Sequence, residues 1–354
     1  MPRRLLHIFP SFVAGGAQMR FATLANHYGD RYAHTICAMD GRIDCRERLD
    51  HGLDVSFLPA PAAAAGLIRR VRAYRHSLRR LRPDVLVTSN WGSIEWAMAN
   101  ATVRIPHVHM EDGFGPDESD RQLRRRVLTR RFVLRGATLV VPSRTLWHIA
   151  RDVWAVPERG LRHIPNGVDL HRYAPAEQGC GAAPVIGTVA ALRGEKRLDR
   201  LLHAAAQLAR GHAFTLMIVG GGPQRTRLEA LATALGIGAR VVFTGPQPDP
   251  AACYNLFDVF ALSSDTEQMP LSVLEAMGSG LPVVATDVGD VRRMLAEDNA
   301  PYVVARDAGA MATALQALLD QPERRRAIGA ANRARAVAVF DQEKMFAAYA
   351  ELFG

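Results

Sequence analysis

Of the 44 basic residues in this chain of 354, only Lys196 and Lys344 are lysines; arginine does the rest. Cysteine is scarce as well. Cys37, Cys45, Cys180 and Cys253 lie far apart and form no C-x-x-C pair, which suits a reducing compartment and argues against structural zinc. No run of 18 uncharged apolar residues occurs, and Leu5–Val13 is interrupted by His7 and Pro10 and lacks a small-residue cleavage site. Neither a membrane span nor secretion is expected. G-x-G-x-x-G is missing too: the first loop, Pro10-Ser-Phe-Val-Ala-Gly15-Gly16-Ala-Gln18, carries only a Gly-Gly pair and has no suitably placed acidic partner, which excludes a dinucleotide fingerprint.

What the chain does have is length for two cores and enough apolar content to fill them. Its net charge of +9 is unevenly spread. Residues 1–165 hold 26 basic and 15 acidic side chains (+11), and residues 166–354 hold 18 and 20 (−2). Such asymmetry fits an anionic membrane surface, an acidic substrate or nucleic acid. Two helical patterns carry it. Arg69–Arg82 sets Val71, Tyr74, Leu78 and Leu81 at helical spacing among arginines, and Arg121–Arg135 interleaves seven arginines with Leu123, Val127, Leu128 and Phe132. Each is by itself a solvated helix face; together they suit an anionic membrane surface or a phosphate-bearing lipid acceptor. No interleaved aromatic and basic motif supports nucleic acid.

Short apolar runs at Arg4–Phe9, His34–Met39, Val55–Leu58, Val85–Ser89, Ile105–His109 and Thr138–Pro142 alternate with helical patterns, the first of them Met19–Tyr28. After the turn sequence Ile164-Pro-Asn166-Gly167-Val-Asp169 the alternation restarts at Val185–Ala190, Phe214–Val219, Val241–Thr244, Val259–Leu262, Pro282–Ala285 and Tyr302–Val304. Strands alternating with helices predict α/β architecture with parallel sheets covered on both faces. The expected domains are 1–165 and 185–340, joined by a linker at 166–184, with an aromatic, amphipathic closing helix at 341–354.

The densest stretch runs from Leu262 to Gly289. A helix is expected to start near Pro270, whose missing N–H costs nothing in a first turn, and to continue through Leu271–Met277. Its first-turn amides and dipole favour an anion, with Ser272 adding a hydroxyl, while Glu275 one turn on is an acceptor for paired hydroxyls such as those of a ribose. Glu267, still in the loop, can address another part of the same ligand. Gly278, Gly280 and the apolar Leu281–Ala285 put the segment at the end of a strand, where ligands of doubly wound sheets collect.

This stretch, Glu267-Gln-Met-Pro-Leu-Ser-Val-Leu-Glu275-Ala-Met-Gly-Ser-Gly-Leu-Pro-Val-Val-Ala-Thr286, resembles the E-G-F-G-x4-E-A-M-A-x-G-x-P-V-V-A-T signature of retaining family 4 glycosyltransferases. The departure is Gln268-Met269-Pro270 for Gly-Phe-Gly, which leaves the donor sugar open because Pro270 has no amide. Val141-Pro-Ser143, P-N-G-x-D, Gly220-Gly-Gly-Pro223 and Phe243-Thr-Gly245-Pro-Gln247 resemble further family motifs in the same order. Ala191-Leu-Arg193-Gly-Glu-Lys196-Arg197-Leu-Asp199 resembles G-R-L-x-x-E-K-G-x-D, with Lys196 aligned, Ala191 in place of the arginine, and Arg193 two positions later.

The resemblance implies a GT-B fold, two Rossmann-like domains facing each other across a cleft, and transfer of a sugar from a nucleotide-diphosphate sugar to an acceptor hydroxyl with retention. In the second domain it assigns the donor to Gln247, Met269, Leu271, Ser272 and Glu275, with Arg193 and Lys196 on the diphosphate and Glu267 on the sugar. In the first domain Gly16 would approach the diphosphate and Gly15, Asn90, Trp91 and Glu111 the acceptor. His109 or Asp112, in His107-Val-His-Met-Glu-Asp-Gly113 after a strand, would face the reacting sugar; the residues leave the choice open. A glycan or lipid-linked acceptor and a cytoplasmic place, peripheral to a membrane, follow from the same resemblance. With no Asp-x-Asp, and cations available for the leaving phosphate, no cofactor or metal is expected. A nucleotide-sugar epimerase or phosphorylase of the same fold and a basic nucleic-acid-binding protein are the rival readings.

Overall fold

The computed structural model describes residues 2–60, 66–114, 118, 121–175 and 183–354. Cys180 and positions 176–182 of the expected linker lie outside the described residues. Two compact units divide the chain: Met1–Pro165 with Phe346–Gly354, and Asn166–Met345.

In the first unit, β1 (Arg3–Phe9), β2 (Tyr32–Ala38), β3 (Val55–Leu58), β4 (Val85–Ser89), β5 (His107–Met110), β6 (Thr138–Val141) and β7 (Leu161–His163) form one sheet in the order β3-β2-β1-β4-β5-β6-β7. Every pairing is parallel, with Leu5 opposite Val85 and Thr88 opposite His109. β1 and β4 are buried along almost their whole length because helices cover both faces, which is why they read as continuous apolar runs. The crossovers include α1 (Gly16–Tyr28), α2 (Leu67–Leu81), α3 (Ile94–Val103), α4 (Arg124–Val133) and α5 (Arg144–His148). β7 was not expected: three residues, Leu-Arg-His, are too short to carry a period, and the strand exists because it finds a place at the sheet's edge. α1 starts three residues before the expected Met19, so the Gly-Gly pair is a helix start, with Gly15 extended as the N-cap and Gly16 the first helical residue. Phe346 stacks on His27 at 3.8 Å between ring centroids, and Phe353 meets Tyr32 edge-on, packing the end of the chain into this unit.

The second unit repeats the plan with β8 (Val185–Val189), β9 (Thr215–Val219), β10 (Val241–Gly245), β11 (Val259–Leu262), β12 (Val283–Thr286) and β13 (Val303–Val304), ordered β10-β9-β8-β11-β12-β13 and parallel throughout. Its helices are α6 (Leu198–Leu208), α7 (Arg225–Ala234), α8 (Ala251–Tyr254), α9 (Leu271–Gly278), α10 (Val291–Met294), α11 (Ala308–Leu319) and α12 (Pro322–Val339), and α13 (Gln342–Phe353) closes the chain. The strand order reverses direction between β8 and β11. Loops leaving those two strands therefore diverge to opposite faces and open a crevice at the carboxyl edge. The two loops are Ala190–Arg197 and Ser263–Pro270, which carry the motif residues of the sequence.

Candidate active site

At the crevice of the second unit Lys196 and Glu267 meet: Nζ lies 2.5 Å from Oε1. Glu267 is further held by the Ser264 hydroxyl, which donates to the same oxygen at 2.7 Å, and the Ser263 hydroxyl donates to the Lys196 carbonyl at 2.9 Å. The side chains are only 25% and 11% exposed, so the pair is shielded yet reachable. Arg193, in the same loop, is exposed. The loop lies flat on the Gly220-Gly-Gly turn: Gly220, at φ +138°, approaches so closely that a Cβ would sit 2.0 Å from the Ala190 carbonyl oxygen. The Glu267 loop is braced in the same way from the other side, because a Cβ on Gly289, at φ +54°, would lie 2.2 Å from the Glu267 carbonyl. Asp290 donates its amide to the Gln268 carbonyl.

Pro270 is the N-cap of α9 rather than a first-turn residue, and the helix begins at Leu271. The Val273 and Leu274 amides bond back to the Pro270 carbonyl, and those of Leu271 and Ser272 belong to the first turn and have no carbonyl of the helix to bond. One turn in, the half-buried Glu275 accepts a 2.6 Å hydrogen bond from the Tyr254 hydroxyl. Burial lifts its carboxyl above the ordinary range, against the opposing pull of Tyr254, Tyr173 and Arg172. Met269 faces inward. It is 7% exposed, its carbonyl accepts from Asn166 Nδ2 at 2.9 Å and its sulfur from the Asn166 amide at 3.3 Å, so backbone and side chain anchor the loop to the Asn-Gly turn and the side chain reaches a ligand only if it leaves the core. Gln247 is exposed, its amide 3.3 Å from the Thr244 carbonyl.

In the first unit Asp112 sits at the carboxyl edge of β5 in a bidentate pair with Arg20, at 2.5 and 2.9 Å. Its amide donates to Asn90 Oδ1 at 2.8 Å. Asn90 follows β4 at φ 55°, ψ −179°, a conformation that costs about 1–3 kcal/mol in a residue other than glycine. The bond to Asp112 and that from the Asn90 amide to the Met110 carbonyl hold it there. A Cβ at Gly16 meets nothing within 4 Å and one at Gly15 would meet only Gln18 and the Val13 carbonyl, leaving the α1 start open.

Two expected site residues turn the other way. His109 and Glu111 are 0% exposed. His109 Nδ1 and His107 Nε2 each lie 2.7 Å from the Thr88 hydroxyl, and Glu111 pairs with Arg130 at 3.2 Å. His109 is thus corrected from a sugar-facing to an interior residue, and Glu111 from an acceptor contact to the partner of a buried cation. Trp91 takes part in the same cluster, with Arg126 and Arg130 over its ring at 4.9 and 5.1 Å. Arg130, 1% exposed, is further enclosed by Phe114, Trp154 and Glu118. Tyr254, Tyr173, Ser264 and Arg20, which hold the predicted residues in place, were missed; none stands in a motif.

Residues 14–172 match the family Glycosyltransferase Family 4, and residues 178–335 match Glycosyl transferases group 1. A GDP-mannose-dependent alpha-(1-6)-phosphatidylinositol monomannoside mannosyltransferase of Mycolicibacterium smegmatis is 34% identical over 197 residues, 50% of this chain and 52% of the relative. The chain thus spans about half the length of that relative, and 41% of a D-inositol 3-phosphate glycosyltransferase of Nocardia farcinica, at 36% identity over 47% of this chain. A D-inositol 3-phosphate glycosyltransferase of Rhodococcus opacus is 30% identical over 79% of this chain and 68% of its own length. Among solved structures, Anabaena HepE in complex with UDP superposes with a TM-score of 0.83 at 19% identity, over 99% of each chain. With both halves matched and parallel Rossmann-like sheets in both units, the chain belongs to the family 4 glycosyltransferases of the GT-B fold.

Proposed function

We propose that the protein transfers a sugar from a nucleotide-diphosphate sugar to an acceptor hydroxyl with retention of anomeric configuration. The observation that carries this reading is the convergence, at one switch-point crevice, of Lys196, Glu267, the open start of α9 and Glu275. A cation together with the first-turn amides of a helix suits a diphosphate, whose charge grows as its bond to the sugar breaks, and charge-assisted hydrogen bonds are about twice as strong as neutral ones. Glu275 takes the ribose diol, Lys196 and Arg193 the diphosphate with the Leu271 and Ser272 amides, and Glu267 the sugar. The departing phosphate accepts the acceptor's proton, so no protein nucleophile is required and no metal is invoked. To the first unit we assign Asp112, held by Arg20 and Asn90, for the reacting sugar, and the open Gly15-Gly16 start for the acceptor and diphosphate.

The relatives use GDP-mannose with a phosphatidylinositol mannoside, or inositol phosphate, so a hexose donor and a phosphate-bearing or lipid-linked acceptor are the first to try. An anionic lipid surface is supported by α4, where Leu128 and Phe132 are 55% and 66% exposed among the exposed Arg124, Arg125 and Arg131. Among the described residues no helix is long and apolar enough to cross a membrane.

The test is a thermal-shift panel of UDP-, GDP-, ADP- and TDP-sugars on the wild type and Glu275→Ala. A ligand at about 100 times its Kd stabilises by roughly 2.7 kcal/mol. One nucleotide class should raise the melting point and Glu275→Ala should abolish the rise. Transfer from the positive donor, with and without EDTA, followed by NMR of the new anomeric centre, then tests metal use and retention. An inverted product, or dependence on a metal, overturns that part of the reading.

A further inference from the structure

The glutamate assigned to the ribose does not stand alone. The Tyr254 ring is 0% exposed, stacked on Phe260 and edge-on to Tyr173, so its hydroxyl has one fixed direction. That hydroxyl points at α9. It lies 2.6 Å from Glu275 Oε2 and 3.2 Å from the Ser272 carbonyl, and its single proton goes to the nearer, charged acceptor. The geometry points to Tyr254 as a positioning residue of the donor site, one that fixes the Glu275 carboxylate in its ionised form and in the orientation needed to receive both ribose hydroxyls. It acts through Glu275 and touches no ligand itself. The inference rests on the reading that Glu275 binds the ribose.

The physical need for such a residue follows from where Glu275 lies. Burial favours the neutral acid, and a protonated carboxyl offers a weaker acceptor to a diol. The other groups facing it are Tyr173, Arg172 and Asp249. Arg172 is engaged by Asp249 at 2.8 Å, so its charge is largely spent outside. Tyr173 is the second hydroxyl neighbour. Tyr254 itself is held protonated by burial, well above the usual phenol range, and so remains a donor around neutral pH. Removing its hydroxyl deprives the carboxylate of its short bond and shifts the protonation of Glu275 toward neutral pH.

The test is calorimetric titration of UDP and of GDP from pH 5.5 to 8.5 into the wild type, Tyr254→Phe, Glu275→Gln and the double variant. The ligand phosphate titrates alike in all four, so it cancels in the ratio of Kd values. We expect Tyr254→Phe to weaken the bound nucleotide several-fold at pH 5.5, as Glu275 loses the bond that favours its charged form, and by progressively less as the pH rises. In the Glu275→Gln background, where nothing titrates, the same substitution should produce no pH-dependent loss. A ratio that stays flat across the range overturns the inference and leaves Tyr254 as packing. If Glu275→Gln binds both nucleotides as the wild type does, the ribose assignment itself fails, whatever Tyr254→Phe shows. Circular dichroism checks that the variants fold; should Tyr254→Phe not fold, Tyr173→Phe reads the same carboxylate, and a flat profile there counts against the inference equally.

Discussion

Lys196 cannot hold a diphosphate and Glu267 at full strength together, and this competition has measurable consequences. The pair is neither exposed nor sealed, at 25% and 11% side-chain exposure, so its worth falls between the about 0.2–1 kcal/mol of surface pairs and the about 3–5 kcal/mol lost on breaking a buried one. A cost of about 1–2 kcal/mol for opening it is a factor of roughly 5–30 in affinity. Glu267→Gln removes that cost, because a neutral amide competes poorly for the ammonium. A bare nucleoside diphosphate, which has no sugar for Glu267 to contact, should therefore bind about 5–30-fold tighter to this variant than to the wild type. The intact sugar nucleotide should gain less, since it forfeits the sugar contact.

Lys196→Ala supplies the opposite arm. Losing a charged hydrogen bond costs about 1.5–3 kcal/mol, or roughly 10- to 150-fold in Kd for both ligands. Calorimetry with UDP, GDP and the corresponding sugar nucleotide reads all three proteins on one scale. Unchanged or weaker diphosphate binding by Glu267→Gln, combined with the expected loss in Lys196→Ala, would show that the ion pair stays closed while the lysine binds phosphate. No loss in Lys196→Ala would remove this lysine from the donor site altogether.

The first unit should be acid-sensitive through a buried histidine pair. Burial, opposed only by Asp54, pulls His34 down to about 4, and His34 Nδ1 lies 3.1 Å from His7 Nε2. The unfolded chain takes up this proton near pH 6.5 and the folded one resists it to about 4, so the stability is complete above 6.5 and about 3 kcal/mol of it is lost as the pH falls to 4. All four tryptophans, Trp91, Trp96, Trp147 and Trp154, lie in this unit, so urea unfolding followed by their fluorescence isolates it; His34→Gln should reduce the slope between pH 6.5 and 4, with His7 and His107 keeping their share, and an undiminished slope would assign it elsewhere. Gly289→Ala should cost about 1–2 kcal/mol for the left-handed backbone alone and more for the 2.2 Å clash with the Glu267 carbonyl. Because the loop that must yield carries Glu267, sugar-nucleotide affinity should fall at least tenfold, and calorimetry showing wild-type affinity would mean the loop is not fixed by this contact.

Much of the fold is legible because parallel strands covered on both faces are simply apolar. Val85–Ser89 is buried throughout, so its run of Val, Leu, Val and Thr marks a strand with little competition from other readings. Boundaries shift where the deciding interaction is remote. Tyr32 begins β2 two residues before the expected His34, since its ring packs against Tyr28 and Phe353, the latter contributed by the far end of the chain. Leu161–His163 becomes a strand only because β6 offers it an edge. Neither condition is written in the local residues.

The site divides in the same way. Glu267, Lys196 and Glu275 stand in motifs and converge as the strand order requires, whereas Tyr254 and Ser264, which hold two of them, have no signature beyond being hydroxyls. The polar cluster after β5 misleads for a reason that strand geometry supplies. His107 and His109 are two residues apart, so they share a face of the sheet, and Thr88, opposite His109, reaches both. Which face is covered depends on α4, and from the sequence its arginines look like one basic surface. The fold separates them: Arg126 and Arg130 turn inward to Glu118, and Arg130 also to Glu111, while Arg124, Arg125 and Arg131 stay outside around Leu128 and Phe132. Counting charges therefore overstates the outward field of α4 by two. Arg130, by drawing Glu111 inward, buries the first carboxylate after β5 and leaves Asp112, bound to Arg20, as the one at the edge of the sheet.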